Sequence, residues 1–200
     1  MSTTGRAAPL APDLRRESLI DSTLPLLREF GDAVTTRQIA HACGVAEGTI
    51  FRAFPDKDSL ISAALDKALD PTDTVAEITA IERTLPLQER LLAAGGILHQ
   101  HMAGVFSLMG VMRMRHTPDK QISAADHRAR TARIIGAVAD LVQPDEHQLR
   151  RTPVEVAQLL RALIFSGSHP LISAGAHLSP DEIISILLDG VRRHSEERTC

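Results

Sequence analysis

The sequence has no Trp and no Tyr, and its five Phe make up its 2% of aromatic residues. Proteins that bind single-stranded nucleic acid stack the bases on aromatic side chains, so this scarcity counts against that class. Cysteine is equally scarce, because only Cys43 and Cys200 are present. Two isolated cysteines provide neither a disulfide framework nor a CxxC metal-binding pair, and we expect a protein of the reducing cytoplasm.

Long apolar runs are also lacking, since none approaches the roughly 20 residues that span a bilayer. The first dozen residues contain no apolar stretch of signal-peptide length, so we expect no export and interpret 1–12 as a disordered arm. The 200 residues are 44% hydrophobic and 24% charged, which is typical of a soluble globular chain.

A strong charge of one sign is absent too, because 22 Lys and Arg face 25 Asp and Glu, for a formal net charge of -3. This balance argues against nonspecific binding of the whole molecule to polyanions. It leaves open the charge of any one face.

Strand-like alternation of apolar and polar residues is missing, whereas helical periodicity runs along the whole chain. We therefore predict an all-α protein of about nine helices, with proline and glycine at their boundaries. Helices before Pro55 are short and those after Pro86 are long. This contrast predicts a compact domain over 13–59 followed by a larger helical body over 60–200.

Residues 35–58 have the length and chemistry of a helix-turn-helix. Thr35 and Gln38 form a capping box, which starts a helix, and Gly44 supplies the positive φ of a tight turn. A second short helix begins near Glu47. Its apolar side chains lie four residues apart and face inward, which leaves the polar positions exposed.

The exposed positions of the second helix suit the reading of a DNA major groove. Gly48 and Thr49 are small where the backbones approach, and Arg52 is a long planar donor able to bind guanine. The free N–H groups of the first helix, at Thr35 and Thr36, would face a phosphate.

The segments TTRQIAHACGV and GTIFRAFPDKDSL resemble the TetR-like family of bacterial transcriptional regulators. The resemblance covers about residues 15–64 and implies a DNA-binding three-helix head joined to an effector-binding, dimerising helical body. It implies contacts with the DNA backbone for Thr35, Thr36, Arg37 and Lys57, and a place in or beside the groove for Glu47, Gly48, Thr49 and Arg52. The resulting DNA-binding set is Thr35, Thr36, Arg37, Glu47, Gly48, Thr49, Phe51, Arg52 and Lys57.

The sequence departs from the family pattern at four positions in or beside this set, one of which is Ala53, where the family often has His or Tyr. Ala46 replaces the usual Ser and removes a side-chain N-cap, and Phe51 replaces the usual Tyr and cannot donate a hydroxyl to phosphate. Glu47 stands where relatives are often basic, so it repels phosphate but is able to accept from the amino group of cytosine.

Residues 1–68 carry eight basic and nine acidic side chains, so electrostatic attraction to DNA is weak. We predict modest affinity and a shallow salt dependence unless an N-terminal arm contributes. The arginines available to such an arm are Arg6, Arg15 and Arg16.

The long helical segment over 87–115 contains four of the five methionines. Flexible thioethers line adaptable pockets, so a stripe on this segment is our candidate site for an apolar small-molecule effector. The stripe consists of His99, Met102, Phe106, Met109 and Arg113. Ordinary helix core is the alternative interpretation.

Residues 153–168 and 180–194 form two amphipathic helices that we assign to a homodimer interface, as in a four-helix bundle. The predicted interface residues are Val156, Leu160, Leu163, Ile184, Leu187 and Val191. Core within one chain is the alternative.

These features predict a repressor that binds a palindromic double-stranded DNA operator as a dimer and is released by an effector. We expect no cofactor, metal or membrane partner. His99 and His101 point about 200° apart on a helix, so they cannot bind one metal ion together.

An enzyme is disfavoured because FSGSHP lacks the strand–turn–helix context of a hydrolase nucleophile. Two alternatives stay open: a ligand-binding or protein-interaction module whose head no longer binds DNA, and an enzyme using the Met and His cavity.

Overall fold

A computed structural model describes residues 11–114, 123–169, 172 and 178–192, with side chains in the first range described to residue 108. Over these residues the chain forms nine α-helices and no strand, which confirms the predicted all-α class. The helices are α1 (Pro12–Phe30), α2 (Thr36–Cys43), α3 (Glu47–Ala53), α4 (Lys57–Ala68), α5 (Thr72–Thr79), α6 (Leu87–Met114), α7 (Ala124–Val142), α8 (Pro153–Ser168) and α9 (Pro180–Val191). Short 3-10 segments span Gly31–Ala33 and Gln143–Gln148. Residues 1–10 of the predicted disordered arm lie outside the described residues.

Side-chain caps determine where several of these helices begin. Capping boxes at Thr35, Thr152 and Ser179 start α2, α8 and α9, so the predicted box at Thr35 is confirmed. In the later two boxes, N–H groups of the cap residue hydrogen-bond the carboxylates of Glu155 and Glu182 and lower their pKa values. Local sequence thus fixes the starts of three helices.

The chain divides into two compact units. We call the described residues 11–69 and 107–114 the head, and the described residues 70–106, 123–169 and 178–192 the body. The predicted boundary after residue 59 falls inside α4, which packs along α1. The compact head therefore extends to Leu69, ten residues beyond that boundary.

The head has its own apolar core, formed where α1 packs against α2, α3 and α4. Its fully buried residues come from every head helix: Leu19, Leu27, Val34, Ile39, Ile50, Leu60, Ile61, Ala64 and Leu108. Each buried leucine or isoleucine contributes roughly 1.5–3 kcal/mol from its removal from water. This core fixes the orientation of α2 and α3.

The body core contains the residues that we predicted for the dimer interface. Five of them, Val156, Leu160, Ile184, Leu187 and Val191, are at most 4% exposed within a single chain. The sixth, Leu163, is half-buried against the same core. The apolar stripes of α8 and α9 pack on each other and on α6 and α7, so they are already covered within one chain.

One stretch of α6, Leu87–Leu108, is long and apolar enough to cross a membrane by length and composition alone. The helices of soluble cores pass the same test. Within the body, Leu91, Ala94 and Leu98 of this stretch are at most 1% exposed and belong to the core. Packing in the body thus covers part of this apolar stretch.

Candidate nucleic-acid interface

The turn between α2 and α3 forms as the sequence predicted. Thr35 accepts from the backbone N–H of Gln38 at 3.2 Å, and its own N–H donates to the Gln38 side chain at 2.8 Å. Gly44 ends α2 with a φ of 70°, a conformation that costs glycine little. The N–H of Val45 then donates to the carbonyl of Ala40 at 2.9 Å and closes the turn.

The middle and the C-terminal end of α3 are held by contacts with the rest of the head. Ile50 and Phe54 are buried in the core, as predicted from their spacing. Arg16 on α1 donates to the carbonyl of Ala53 at 2.7 Å, and its guanidinium lies 4.0 Å from the centroid of the Phe54 ring. The geometry therefore gives Arg16 a positioning role at the end of α3 instead of the predicted role in a flexible arm; Arg6 lies outside the described residues.

The outward face of α3 presents a small, an aromatic and a cationic side chain. Thr49 is half-buried, Phe51 is 52% exposed and Arg52 is exposed without a bond to any other described residue. A Cβ added at Gly48 would meet nothing within 4 Å, so no side chain obstructs this face there. Phe51 contributes an exposed apolar surface to this face.

Two residues of the predicted DNA-binding set bind each other. The hydroxyl of Thr36, the first residue of α2, donates to the carboxylate of Glu47, the first residue of α3, at 2.5 Å. The sequence analysis had assigned Thr36 to a phosphate and Glu47 to the groove. In the structure the pair instead connects the two helices of the motif.

Lys57 is also engaged within the head. Its Nζ donates to the carbonyls of Asp32 at 3.2 Å and Val34 at 3.0 Å, and the side chain is half-buried. These bonds hold the start of α4 against the turn that follows α1. The geometry supports a positioning role for Lys57 more directly than the predicted phosphate contact.

A shallow cleft of about 480 Å³ lies beside the start of α2. Its lining residues come from the end of α1 and from the outer side of α2: Leu26, Glu29, Phe30, Thr35, Arg37, Gln38, His41 and Ala42. Arg37 and His41 are exposed, and neither side chain bonds another residue in the described part of the chain. The cleft brings Thr35 and Arg37 of the predicted set together and adds His41, which sequence reasoning had not selected.

This head matches known DNA-binding proteins. The family model described as "Bacterial regulatory proteins, tetR family" matches residues 19–64. The transcriptional repressor KstR of Mycolicibacterium smegmatis is 33% identical over 75 residues, which are 37% of this chain and 37% of KstR. The transcriptional repressor Rv3405c of Mycobacterium tuberculosis H37Rv is 30% identical over 130 residues, which are 59% of this chain and 69% of Rv3405c.

The chain belongs to the tetR family of bacterial regulatory proteins. A TetR-family crystal structure from Mesorhizobium loti MAFF303099 covers 92% of this chain and 100% of its own, with a TM-score of 0.71 and 15% identity. At that identity the likeness concerns the fold alone. The match to KstR spans little more than a third of that relative.

Three of the five side chains of the predicted ligand stripe are described, and these three lie in the body of this TetR-family chain. His99 Nδ1 lies 2.9 Å from the hydroxyl oxygen of Ser168, and Met102 is 8% exposed. Phe106 packs edge-on against Phe165 and His169, with ring centroids 5.2 and 4.8 Å away. The side chains of Met109 and Arg113 lie outside the described residues.

A second histidine of α6 has a different partner. His101 Nδ1 lies 3.0 Å from the hydroxyl oxygen of Thr74, and burial lowers the pKa of the His101 ring. Since His99 bonds Ser168 instead, the two rings have separate partners, as their spacing had predicted. No group of three His, Cys, Asp or Glu side chains suited to a metal occurs among the described residues.

Proposed function

We propose that this chain is a cytoplasmic, sequence-specific transcriptional regulator, a repressor that binds a palindromic double-stranded operator as a homodimer and is released by a small-molecule effector. The observation that carries the proposal is the outward face of α3. The buried core of the head fixes the orientation of α3 and so determines which of its side chains face outward. Major-groove reading requires such a short, preorganised helix.

The exposed side chains of the head suit complementary parts of a duplex. Arg52 is able to donate two hydrogen bonds to guanine, and Phe51 offers an apolar surface for the methyl group of thymine. Arg37, on the exposed side of α2, is suited to a backbone phosphate, which fixes the register of the head without reading sequence. The proposal thus assigns base reading to α3 and phosphate contact to α2.

A dimer follows from the small number of base pairs that one such helix reads, because two heads on a symmetric site combine their affinities. On α8 and α9 the large apolar side chains left exposed by the body core are Val154, Leu159 and Ile186. We assign the dimer contact to these exposed positions, replacing the buried residues named from the sequence.

Effector release requires an effector with different affinities for the DNA-binding and nonbinding conformations. A tenfold loss of operator affinity takes about 1.4 kcal/mol of such coupling. The body stripe with His99, Met102 and Phe106 is the proposed effector site, because it combines apolar, aromatic and hydrogen-bonding groups. The names of KstR and Rv3405c, both repressors, support negative regulation.

The proposal is tested by selection from a random duplex pool, using labelled DNA because a chain without Trp or Tyr absorbs weakly near 280 nm. We expect the full chain to enrich a palindrome. Arg52→Ala should lose about 5- to 150-fold in affinity for that site, equivalent to about 1–3 kcal/mol, and much less for unrelated duplexes. Arg28→Ala, which removes an exposed arginine from α1 of the same head, is the matched control and should enrich the same palindrome.

Three other results would point elsewhere. Equal weakening on all duplexes by Arg52→Ala would assign this side chain to a phosphate. An absence of enrichment even at low salt would contradict the DNA-binding proposal and favour a module that binds ligands or proteins. Turnover of a small molecule without any dependence on DNA would favour an enzyme.

A further inference from the structure

The bond between Thr36 and Glu47 places a carboxylate at the beginning of α2. In α2, Thr35 satisfies the N–H of Gln38, which leaves the N–H groups of Thr36 and Arg37 without a partner inside the helix. These groups and the helix dipole give the beginning of α2 a partial positive charge. The Glu47 carboxylate, 2.5 Å from the Thr36 hydroxyl, is the anion found there.

Glu47 is also the single carboxylate of the helix-turn-helix by sequence. Residues 36–53 contain two arginines, Arg37 and Arg52, and one acidic residue. The side chain of neither arginine bonds Glu47 or any other described residue. The Thr36 hydroxyl is therefore the side-chain partner of the Glu47 carboxylate among the described residues. Removal of this one charge would raise the formal charge of the segment from +1 to +2, with His41 neutral.

A DNA phosphate bound at the beginning of α2 would compete with the Glu47 carboxylate for the Thr36 hydroxyl. Both are oxyanions, both accept from a hydroxyl and from backbone N–H groups, and both are favoured by a helix N-terminus. Two negative groups cannot share that place without strong repulsion. One of them has to leave when the other binds.

We propose that Glu47 is an internal competitor of the operator: in the free protein its carboxylate occupies the phosphate position at the start of α2, and DNA has to displace it. The inference rests on the proposed function. Glu47 thereby lowers operator affinity and weakens its salt dependence, because the released carboxylate takes up a cation while the phosphate releases one. The operator affinity of the head is therefore lower than that of the same head without the Glu47 charge.

The competitor has an effect that a purely structural residue would not have. A structural contact stabilises the free protein and the complex together, so its loss weakens both. Loss of the Glu47 charge should instead lower the melting temperature of the free protein and raise operator affinity. The opposite signs of these two changes distinguish the two roles.

The experiment uses the full chain, its selected operator and Glu47→Gln, which keeps the side-chain shape and removes the charge. We expect operator affinity to rise roughly two- to fivefold per head, as expected for one charge at a helix N-terminus, and the slope of log affinity against log salt to steepen by about one per head. The melting temperature of the free protein should fall by about 1–4 °C. Glu17→Gln, an exposed acid of α1 without a bond to any described residue, is the matched control and should reproduce none of these effects in full.

Changes at Thr36 test whether the contact itself is responsible. In a Thr36→Val background the hydroxyl is gone, so Glu47→Gln should give a smaller gain in affinity than in the original chain. Thr36→Ser keeps the hydroxyl and should restore the full gain. This comparison separates a local contact from general repulsion between the head and DNA.

Distinct results would overturn the inference and the proposed function. If the original chain selects an operator and Glu47→Gln leaves its affinity and salt slope unchanged, Glu47 is not a competitor. An equal gain from Glu47→Gln in the Thr36→Val background would reduce Glu47 to a general charge effect. If neither protein retains any duplex at low salt, the proposed function fails and the inference fails with it.

Discussion

At the scale of single residues, Arg90 is the largest of the fully buried side chains in the described part of the chain, and it is charged. It donates to the carbonyl of Leu141 and forms an ion pair with Asp145, which is 20% exposed. Burial of a charge without a partner costs several kcal/mol, so the pair has to be kept together. The sequence offered no indication of it, because the partners lie 55 residues apart in the chain.

Asp145→Ala should therefore destabilise the protein by about 3–5 kcal/mol, since it leaves the Arg90 charge buried without its partner. Asp140→Ala is the matched control, because Asp140 pairs with Arg83 at 4.0 Å on an exposed surface. Such surface pairs contribute about 0–1 kcal/mol. Denaturant unfolding followed by far-UV circular dichroism measures the free energy of unfolding of both variants. If both lose a similar, small amount of stability, the protein does not need the pair of Arg90 and Asp145 to stay folded.

At the scale of elements, the sequence predicted helix starts better than helix neighbours. The capping box at Thr35 and the glycine turn at Gly44 are local patterns, and both were found as predicted. The apolar stripes of α8 and α9 correctly indicated burial but not what covers them. A stripe shows that a face is covered, whereas tertiary packing decides whether its own chain or a second copy covers it.

The missing cap of α3 supplies a prediction at this scale. Ala46 has the extended backbone of an N-cap residue but makes no side-chain cap, as its sequence predicted. Ala46→Ser should stabilise the protein by about 0.5–2 kcal/mol by accepting from an N–H of the first turn of α3.

Thermal unfolding of this variant is compared with that of Ala42→Ser. Ala42 is an exposed residue inside α2, where a serine is unable to cap and costs a few tenths of a kcal/mol in helix propensity. A loss of stability in both variants would show that the start of α3 does not need the cap.

At the scale of the whole molecule, the fold class and the DNA-binding motif could be predicted from the sequence. The side-chain hydrogen bonds that hold the motif in place could not. The all-α class follows from periodicity, and the motif follows from spacing within about twenty residues. The contact of Arg16 with Ala53 spans 37 residues and that of Lys57 with Val34 spans 23. Pairs this distant are decided by the packing of the head, so pattern analysis could not assign these cations to their partners.

The proposed dimer gives a prediction for the assembly. Ile186 is 54% exposed on α9, and an arginine there would place a charge in the proposed contact between two chains. We expect Ile186→Arg to shift the protein toward the monomer and to weaken operator binding. Sedimentation velocity measures the shift; Leu14→Arg, at an equally exposed leucine of α1, is the control that should leave the oligomeric state unchanged.

Leu108 has a consequence for how the head is inherited and engineered. The head is encoded by two separate stretches of the gene, because Leu108 from α6 is fully buried in the core formed otherwise by residues 19–64. A fragment that ends at Leu69 would retain the whole helix-turn-helix and lack this leucine, and an unfilled leucine site typically costs about 3–5 kcal/mol. A chimeric regulator joined at a single point after Leu69 would therefore combine the helix-turn-helix of one parent with the Leu108 position of the other. Both stretches have to come from the same parent for the head core to be complete.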